Sequence, residues 1–523
     1  MTNIFGHGYN INIQIRFLKE IKVFSVKIAR GEKWYGGDIM LGSFMPVGSL
    51  RPHLIKGKRV VTANQFNTLL VSDKGRYIWT REGADVLFLF GRINVMCDKD
   101  NVTFKDGLGN LKGAYETACK NHFPFRKQMP AEIMFRAPQY CTWIEMTNRP
   151  SAEKVIAYAR SIIESGMPAG ELIIDDGWQR NFGEWEFTDK FPDPAGMVKT
   201  LNGLGFKVIL WICPFISEKS PDFGYLKEKG LLVKNKNGEV AFRNWWNGRD
   251  ALLDHSNPEG LAWYRTVTEN LKNKYNVDGF KMDAGDARFY RDDDINFAGA
   301  NSNEMSRLWA LAGTDNPFSE LRACFQLGGY GLAQRLADKN HSWGKLAGLR
   351  SLIPNALLAG VSGYPFVCPD MIGGGQVKSI EGGTGGYDNE LFKRSCECSS
   401  LMPMMQFSIA LWNMPDKSVA QAALLAAKRH SEFSDYIVSL AEEAAVSGRP
   451  IIRYCEYEFP GQKMYRYKQQ FMLGDKYLIA PVTDKKGYSA VKLPKGRWKN
   501  LSDGSTVEGG KLKVSAFTVY ERI

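Results

Sequence analysis

The stretch VDGFKMDAGD, residues 277–286, reads as a short buried strand that ends abruptly in charge and glycine. Asp283 and Asp286 lie at that end, and Lys281 comes just before them. A helix is predicted directly upstream, near residues 258–275. A buried strand does not need carboxylates at its tip for packing, since carboxylates are rarely buried without a partner. The stretch therefore predicts a functional site at the end of a strand in a strand–helix fold.

Similar units flank this stretch on both sides. A helix is predicted over SAEKVIAYARSIIESG, with Ser151 as its N-cap and Gly166 as its stop, and another over DPAGMVKTLNGLG. Apolar strand-like segments alternate with the helices: AEIMFRAPQY, AGELIIDDGW, FKVILWICPF, RACFQLGG and LMPMMQFS. Such alternation indicates parallel βαβ units, and the span fits one (β/α)8 TIM barrel with insertions over residues 126–434. A doubly wound sheet is the alternative, but the G-x-G-x-x-G loop expected after its first strand is missing.

The two ends of the chain are predicted to be β-rich. Residues 1–125 contain alternating or β-branched segments separated by Gly, Asn and Asp, namely INIQIRF, RVVTANQFNTLLVS, YIWTREGADVLFLF and NVTFK. They predict an N-terminal β-sandwich domain. Residues 435–523 contain QFMLGDKYLIAPV, YSAVKLP and AFTVYERI. They predict a small C-terminal β-sandwich domain.

Composition narrows the class of protein. The chain has 523 residues, of which 44% are hydrophobic and 24% charged, a soluble globular composition. The formal net charge is +12, but no run of five or more basic residues occurs, which favours a generally basic surface over a nucleic-acid site. The nine cysteines lie mostly in apolar contexts, as Cys213 and Cys368 do, so buried reduced thiols are expected.

The compartment is left open by the sequence. No apolar run reaches the roughly 18 residues needed to span a bilayer, so no membrane association is expected. The N-terminal stretch MTNIFGHGYNINIQIRF lacks the basic and apolar regions of a signal peptide. We expect a soluble protein that is either cytoplasmic or secreted with its presequence removed.

Acidic residues and tryptophans recur where the predicted strands end. Active sites of TIM barrels form at these carboxyl ends. Each acid alone is as consistent with a structural role, as a helix cap or a turn former, as with a functional one. Asp286 is expected to shape its loop. Together the acids suggest sugar binding, and two carboxylates flanking a glycosidic bond suffice to hydrolyse it. Asp175, Asp176, Trp178, Trp211 and Asp283 lie at these ends, and Arg335, Asp338 and Asp370 come further on in the chain.

Other chemistries lack their motifs. The six histidines form neither H-x-x-x-H nor H-x-H, which disfavours a zinc site. No G-x-x-x-x-G-K-[ST] phosphate loop and no G-x-S-x-G nucleophile elbow are present. We therefore expect no metal and no organic cofactor.

From about residue 130 to its end, the chain resembles glycoside hydrolase family 31, the retaining α-glycosidases. DGFKMDAGD is similar to the family's nucleophile strand, and GVSGYPFVCPDMIGG to the segment ending in D-I-G-G. GRPIIRYCEYEFP, QFMLGDKYLIAPV and LPKGRW resemble the last barrel helix and the C-terminal β-domain. RNWWNG, RLADKNHSWGKLAGLRSLIP and MPMMQFSIALW resemble the branch related to the myogenesis-regulating glycosidase, which includes α-galactosidases.

Two departures from the α-glucosidases of the family support this branch. Those enzymes have an F-x-R-x-H-like stretch after the eighth strand, whose His touches the sugar; here FSIALW brings Trp412 and no His. Their acid/base segment reads W-x-G-D-N, whereas this chain has RLADKN. IIDDGW also resembles the paired-Asp motif of related α-galactosidase families, in which the acids hold the 4- and 6-hydroxyls. Asp175 and Asp176 are therefore the residues expected to select galactose.

The resemblance implies a retaining exo-α-glycosidase that hydrolyses terminal α-galactosides. Asp283 would be the nucleophile and Asp338 the acid/base, with their carboxyl groups about 5–5.5 Å apart. Lys281, on the same strand face as Asp283, would keep that carboxylate ionised and contact a sugar hydroxyl. The remaining substrate-binding residues would be Asp175, Asp176, Trp178, Trp211, Trp246, Arg335 and Asp370.

Three alternatives stay open at this point. An α-glucosidase or α-xylosidase of the same family is the nearest. A non-catalytic carbohydrate-binding homologue belongs to a different functional class. Nucleic-acid binding, suggested by charge alone, is the most distant.

Overall fold

The computed structural model describes residues 23–97, 99–381 and 387–523. The predicted strand INIQIRF lies outside these residues. Two four-stranded antiparallel sheets form the N-terminal unit, which confirms the predicted β-sandwich. In spatial order the first sheet contains Phe24–Lys27, Arg92–Met96, Asp85–Leu89 and His53–Ile55, and the second contains Trp34–Asp38, Phe66–Ser72, Tyr77–Thr80 and Val102–Lys105.

The second sheet packs on the barrel. Every residue of Phe66–Ser72 is buried, as expected of a strand covered on both faces. The backbone N–H of Phe66 donates to the carbonyl of Cys324, and the Asn67 side chain donates to the carbonyl of Ser362. The N-terminal unit is thereby fixed next to the loop that follows the fifth barrel strand and the segment that precedes the seventh. Its short 3-10 helices are Ile39–Phe44 and Lys99–Asn101.

Eight parallel strands form the barrel, which confirms the predicted fold. In chain order, barrel strands 1 to 8 are Gln139–Cys141, Glu171–Ile174, Lys207–Ile212, Gly279–Met282, Glu320–Leu321, Ala333–Arg335, Val367–Cys368 and Gln406–Phe407. Their spatial order is 7-6-5-4-3-2-1-8. A parallel bridge between Met371 and Gln406 joins the strand-7 segment to strand 8. The carboxyl ends of all eight strands therefore lie at one face.

The helices begin and end at residues with the expected capping chemistry. Ser151 caps Ala152–Glu164 by accepting from the N–H of Lys154, and Gly166 beyond its end has a φ of +78°, as predicted. Pro258–Tyr275 begins with proline after Asn257 and ends at the left-handed Asn276. The other helices of the barrel region are Leu111–His122, Ile133–Arg136, Trp143–Met146, Pro194–Gly203, Phe223–Glu228, Ser302–Leu311, Leu349–Gly360, Val377–Glu381, Asn389–Ser399, Lys417–Glu432 and Ser434–Ser447.

Several strand predictions were wrong in position. The segment AEIMFRAPQY is helical over Ile133–Arg136, and barrel strand 1 begins only at Gln139. The segment RACFQLGG follows barrel strand 5 rather than forming it, and barrel strand 6 was not predicted. Strands 5 and 6 have two and three residues, too few to show a hydrophobic period. Residue 435, the expected start of the C-terminal domain, lies within the helix Ser434–Ser447, and this boundary stays a prediction.

Two inserted sheets cover the barrel beside strands 2 and 3. One is the hairpin of Gln179–Asn181 and Glu184–Phe187, and the other consists of Phe215–Ile216, Gly248–Leu252 and Phe242–Trp245.

The C-terminal unit contains a six-stranded antiparallel sheet and a strand pair, built around Met472, Leu478 and Trp498. Its strands are Ile452–Arg453, Phe471–Leu473, Tyr477–Ala480, Ser489–Lys492, Arg497–Asn500, Thr506–Glu508, Lys511–Val514 and Thr518–Arg522, with the short helix Cys455–Glu458.

Eight of the nine cysteines are buried, as the apolar contexts predicted. Among the helices of the described ranges, none has both the length and the apolar character to cross a bilayer.

Candidate active site

A cavity of about 680 Å³ opens where barrel strands 1 to 7 end. Its volume lies within the usual range for small-molecule sites. The N-terminal unit closes part of its wall with Met40 and Ala63. Eight of the predicted site residues line it, namely Asp175, Asp176, Trp211, Trp246, Lys281, Asp283, Arg335 and Asp338. Most of the predicted site is thus one continuous surface.

Asp283 lies at the floor of this cavity, one residue beyond barrel strand 4. Its backbone N–H continues the ladder to Ile212, and its Oδ2 accepts from the indole N–H of Trp211 at 3.0 Å. Its Oδ1 forms an ion pair with Arg322 at 3.0 Å. Burial opposes ionisation, but the charges of Arg322, Arg335 and Lys281 outweigh it and hold the pKa of Asp283 well below its usual range. The carboxylate is therefore ionised at neutral pH.

The turn after Asp283 accepts only glycine at one position. Gly285 has a φ of +69°, and a Cβ there would lie 1.9 Å from the ring of Trp309. The chain can thus turn sharply under Trp309 and leave Asp283 at the cavity floor. Asp286, just beyond the turn, is fully buried and accepts from Arg322 at 2.6 Å. Asp286 therefore holds Arg322 in place, in line with its predicted structural role.

Arg322 was missed by sequence reasoning. It follows the two-residue barrel strand 5, and it joins Asp283 to Asp286. Its guanidinium also lies 4.9 Å from the ring centre of Trp246, a cation–π contact. The signal in the sequence was the arginine of ELRAC, but the predicted strand began at this residue instead of ending before it.

Lys281 and Trp211 are brought together by strand register. Lys281 pairs with Trp211 on strand 3 and with Glu320 on strand 5. The ammonium of Lys281 forms an ion pair with Asp175 at 2.6 Å. Burial disfavours its charge, but Asp175 outweighs this effect and raises the pKa of Lys281 above its usual range. Lys281 therefore contributes a fixed positive charge near Asp283, as predicted, while its nearest carboxylate is Asp175.

Arg335 connects the two predicted catalytic acids. This fully buried side chain lies on barrel strand 6. Its Nη1 donates to Oδ1 of Asp338 at 2.6 Å, and its Nη2 lies 4.0 Å from Oδ1 of Asp283. Its Nε forms an ion pair with Glu320 at 3.2 Å. One guanidinium thus contacts both carboxylates and is anchored from below by a third.

Asp338 is the more accessible of the two acids. Its side chain is 21% exposed, compared with 12% for Asp283. Its Oδ2 accepts from the side-chain amide of Gln376 at 3.2 Å. Gln376 belongs to the segment after strand 7, another contribution that the sequence did not reveal. Asp338 is therefore open to solvent and to a bound ligand on one side.

Asp370 lies beneath Asp338 and is fully buried. It accepts from Arg335 at 3.1 Å and from the backbone N–H of Lys339 at 2.7 Å. Burial and the neighbouring charge of Asp338 raise its pKa above the usual range. Its φ of +91° is unusual for a residue other than glycine, and such strain is common at functional sites. The position indicates support of the Asp338 segment, whereas direct sugar contact was predicted.

Asp175 and Asp176 face the cavity from the end of strand 2. Asp175 accepts from Lys281, and its backbone N–H donates to Thr142. Asp176 accepts from Gln179 at 2.8 Å and from Asn247 at 2.7 Å. Burial, reinforced by the charge of Asp175, raises the pKa of Asp176 to about 6. The pair provides oxygen acceptors at the wall, with Asn247 as an unpredicted neighbour.

The three predicted tryptophans have different positions. Trp211 is buried against Asp283, and Trp246 is 43% exposed at the cavity wall. Trp178 is fully buried, its ring lies 4.7 Å from that of Phe187, and its indole N–H donates to the carbonyl of Trp211. Trp178 thus supports Trp211 from behind, in contrast to the predicted contact with substrate.

Across residues 23–97, 99–381 and 387–523, no cluster of three or more His, Cys, Asp and Glu side chains is arranged to hold a metal ion. Within the cavity, Asp175, Asp283 and Asp338 are instead paired with Lys281, Arg322 and Arg335. Fold and site together define a class of protein: a (β/α)8 barrel with two carboxylates sharing one arginine at the carboxyl-terminal face.

Comparison with known sequences assigns the family. The description Glycosyl hydrolases family 31 TIM-barrel domain applies to residues 128–439, and Glycosyl hydrolase family 31 C-terminal domain to residues 448–523. The first match alone covers more than half of the chain. The chain belongs to glycosyl hydrolase family 31.

Individual relatives agree with this assignment. The chain is 34% identical over 403 residues to the myogenesis-regulating glycosidase of Mus musculus, covering 75% of this chain and 56% of that protein. It is 25% identical over 473 residues to the alpha-xylosidase XylQ of Lactiplantibacillus pentosus, covering 84% and 59%. The chain thus spans less than two thirds of the length of these curated relatives.

A solved structure shows the same fold. The GH31 family sulfoquinovosidase from E. rectale superposes with a TM-score of 0.81 at 20% identity, covering 96% of this chain and 82% of that chain.

Proposed function

We propose that this protein is a retaining exo-α-glycosidase that hydrolyses terminal α-galactosides through a covalent glycosyl-enzyme. The observation that carries the proposal is the contact of Asp283 and Asp338 with the same guanidinium of Arg335. Sharing one guanidinium supports the short separation of about 5–5.5 Å that retaining enzymes use. Asp283 is also the carboxylate that its surroundings keep ionised.

In the first step the Asp283 carboxylate attacks the anomeric carbon of the bound sugar. The bond from this carbon to the leaving oxygen breaks, and that oxygen takes a proton from Asp338. Trp211 and Arg322 bind the two oxygens of Asp283, so they fix the direction of the attack. A sugar ester of Asp283 and a free alcohol result.

In the second step Asp338, now a carboxylate, removes a proton from water as the water attacks the same carbon. The bond to Asp283 breaks, and its carboxylate returns to the ion pair with Arg322. Two inversions leave the released sugar in its original α-configuration. Asp338 is accessible enough to meet both the leaving group and the incoming water, because its side chain is 21% exposed.

The preference for galactose rests on the wall opposite these acids. Asp175 and Asp176 supply acceptors from strand 2, where the paired-Asp motif is expected to hold the 4- and 6-hydroxyls. Trp412, which stands where α-glucosidases have a sugar-binding His, is buried and donates to Ser161. The acceptors for the sugar therefore lie on strand 2 in this proposal.

A panel of aryl α-glycosides tests the proposal. We expect the highest kcat/KM on the α-galactoside, and proton NMR of the first-formed sugar should show the α-anomer. Initial formation of the β-anomer would exclude the retaining mechanism. A higher kcat/KM on the α-glucoside would refute the assignment of galactose.

An α-xylosidase is the second candidate, because a relative 25% identical over 84% of the chain is an alpha-xylosidase. Xylose lacks the C6 hydroxymethyl group that one of the paired acids is expected to hold. The same panel distinguishes the two candidates through the ratio of rates on α-galactoside and α-xyloside.

A further inference from the structure

The cavity carries more cations than the proposed chemistry uses. Six cationic side chains and four carboxylates line it. The carboxylates are Asp175, Asp176, Asp283 and Asp338, and all four have a place in the proposed mechanism or sugar binding. The cations divide into a buried group and an exposed group, and only the buried group is paired with these acids.

The buried group consists of Lys281, Arg322 and Arg335. Each forms an ion pair of 3.0 Å or shorter with a carboxylate that lines the cavity. Their charges are therefore already balanced within the protein. They stabilise the ionised acids and leave little charge for a ligand to neutralise.

The exposed group consists of Arg149, Arg288 and Lys378, which we call the mouth cations. They come from three different loops, those after strands 1, 4 and 7. In the described part of the chain, the side chains of Arg149 and Lys378 form no ion pair with a carboxylate. Arg288 has only a 3.8 Å contact with Asp286, whose nearer partner is Arg322 at 2.6 Å. The charge of the mouth cations is thus available to a ligand.

Two contacts place Arg149 and Lys378 on the leaving-group side. Gln376 donates to Asp338, the proposed proton donor to the leaving oxygen, and Lys378 lies two residues further along. The indole N–H of Trp143 donates to the carbonyl of Gly375 at 2.8 Å, which joins the segment leading to Arg149 to the same loop. A leaving group that takes a proton from Asp338 therefore extends between these two segments.

From this arrangement we infer that the substrate carries an anionic group, such as a carboxylate or sulfate, on its leaving group. The inference rests on the proposed function, since it assigns the aglycone of the same site. Unpaired cations at the mouth of a cavity attract and orient anions, and the net charge of +12 adds to this attraction. A neutral leaving group would leave Arg149 and Lys378 without a carboxylate partner and Arg288 with only its 3.8 Å contact to Asp286.

The experiment compares 4-carboxyphenyl and 4-carbamoylphenyl α-glycosides, which have similar shape and differ in charge. Each pair is prepared on galactose, glucose and xylose, and kcat/KM is measured for all six compounds. We expect the acid to exceed the amide by about tenfold on the preferred sugar, from two or three partly exposed charge contacts. Raising the salt concentration should reduce this ratio, because exposed charges are screened.

The double variant Arg149→Gln, Lys378→Gln should bring the acid-to-amide ratio close to one. The matched control Lys199→Gln removes a positive charge from the exposed face of the helix Pro194–Gly203, outside the cavity, and should keep the ratio. Because the readout is a ratio of two substrates on one enzyme, a change in overall activity or folded fraction cancels.

The outcomes separate the inference from the proposed function. A ratio near one in the unaltered enzyme, or a ratio that survives the double variant, overturns the inference alone. A high ratio on glucosides or xylosides, with galactosides poorly cleaved, overturns only the choice of galactose. An enzyme inert toward all six compounds overturns both.

Discussion

Asp283 directly contacts the Arg322 guanidinium and the Trp211 indole N–H, whereas Asp338 directly contacts the Arg335 guanidinium and the side-chain amide of Gln376. Asp283 lies at the floor, directly after a barrel strand. Asp338 lies three residues beyond barrel strand 6, on a loop. Gln376, which follows barrel strand 7, donates to it. In the proposed mechanism, this contrast lets one cavity hold a carboxylate that attacks the sugar beside another that exchanges protons with the ligand.

The largest expected effect comes from removing the floor carboxylate. Asp283→Ala should lower kcat/KM on an aryl α-galactoside by about 10⁴-fold or more, because the covalent step loses its nucleophile. Added azide should partly restore turnover and give the β-galactosyl azide, detected by NMR. Circular dichroism serves as the folding control. Substantial activity without azide would show that Asp283 is not the nucleophile.

Removing the carboxylate of Asp338 should lower kcat/KM by a smaller factor, and that factor should depend on the leaving group of the substrate. Asp338→Asn should lower kcat/KM by about 10²–10⁴-fold for poor leaving groups, which need a proton in the transition state. The loss should be much smaller for 2,4-dinitrophenyl galactoside, whose leaving group departs without one. Steady-state kinetics on both substrates measure the difference. An equal loss on the two substrates would contradict an acid role.

The cations of the floor can be tested through stability. Arg322→Met leaves Asp283 and Asp286 buried without their ion pair, so the free energy of unfolding should fall by about 3–5 kcal/mol at neutral pH. Asp283 has a depressed pKa, so its stabilising contribution is present above the unfolded-state pKa of about 3.9 and is lost as the pH falls.

The destabilisation by Arg322→Met should therefore shrink in acid, and denaturant unfolding at several pH values measures it. Arg322→Lys, which keeps the charge, should lose less stability. A Met variant as stable as the unaltered protein at neutral pH would mean that the floor does not depend on this ion pair.

Asp176 at the cavity wall predicts a pH dependence of kcat/KM. The pKa of Asp176 is raised to about 6, so its acceptor form is lost as the pH falls through that value. The acid limb of kcat/KM should be less steep in Asp176→Asn, with activity about 10²-fold lower on the galactoside at neutral pH. Rates across the pH range provide the check. An unchanged limb would assign it to another group.

The smallest expected effects distinguish Trp246, which lines the cavity, from Trp178, which is buried behind Trp211. Trp246→Ala should raise KM several-fold, because this exposed ring lines the cavity beside Arg322. Trp178→Phe should leave KM nearly unchanged and lower the free energy of unfolding by about 1–2 kcal/mol, from the lost bond to Trp211. A larger change in KM for Trp178→Phe would restore it as a residue that contacts substrate.

The difference between the surroundings of Asp283 and those of Asp338 also explains which site residues could be predicted from the sequence. The floor follows from strand ends that are visible as apolar runs, so Trp211, Lys281 and Asp283 were all predicted. The ion pairs of Arg335 could not be predicted from an apolar pattern, since barrel strand 6 has only three residues and is too short to show one. Arg322 and Gln376 act across units distant in the chain, and no local pattern encodes such pairing. Trp178 was predicted to contact substrate because it follows Asp175 and Asp176 in the sequence. Successive residues on a turn point in different directions, however, and the Trp178 side chain is buried behind Trp211.

Covalent trapping tests the central assignment most directly. A 5-fluoro-α-galactosyl fluoride slows the hydrolysis of the glycosyl-enzyme more than its formation, so the intermediate accumulates. We predict that intact-mass spectrometry shows the addition of one fluorogalactosyl group and that peptide mapping places it on Asp283. A label on Asp338, or steady turnover of the galactoside with no covalent adduct, would contradict the proposed mechanism.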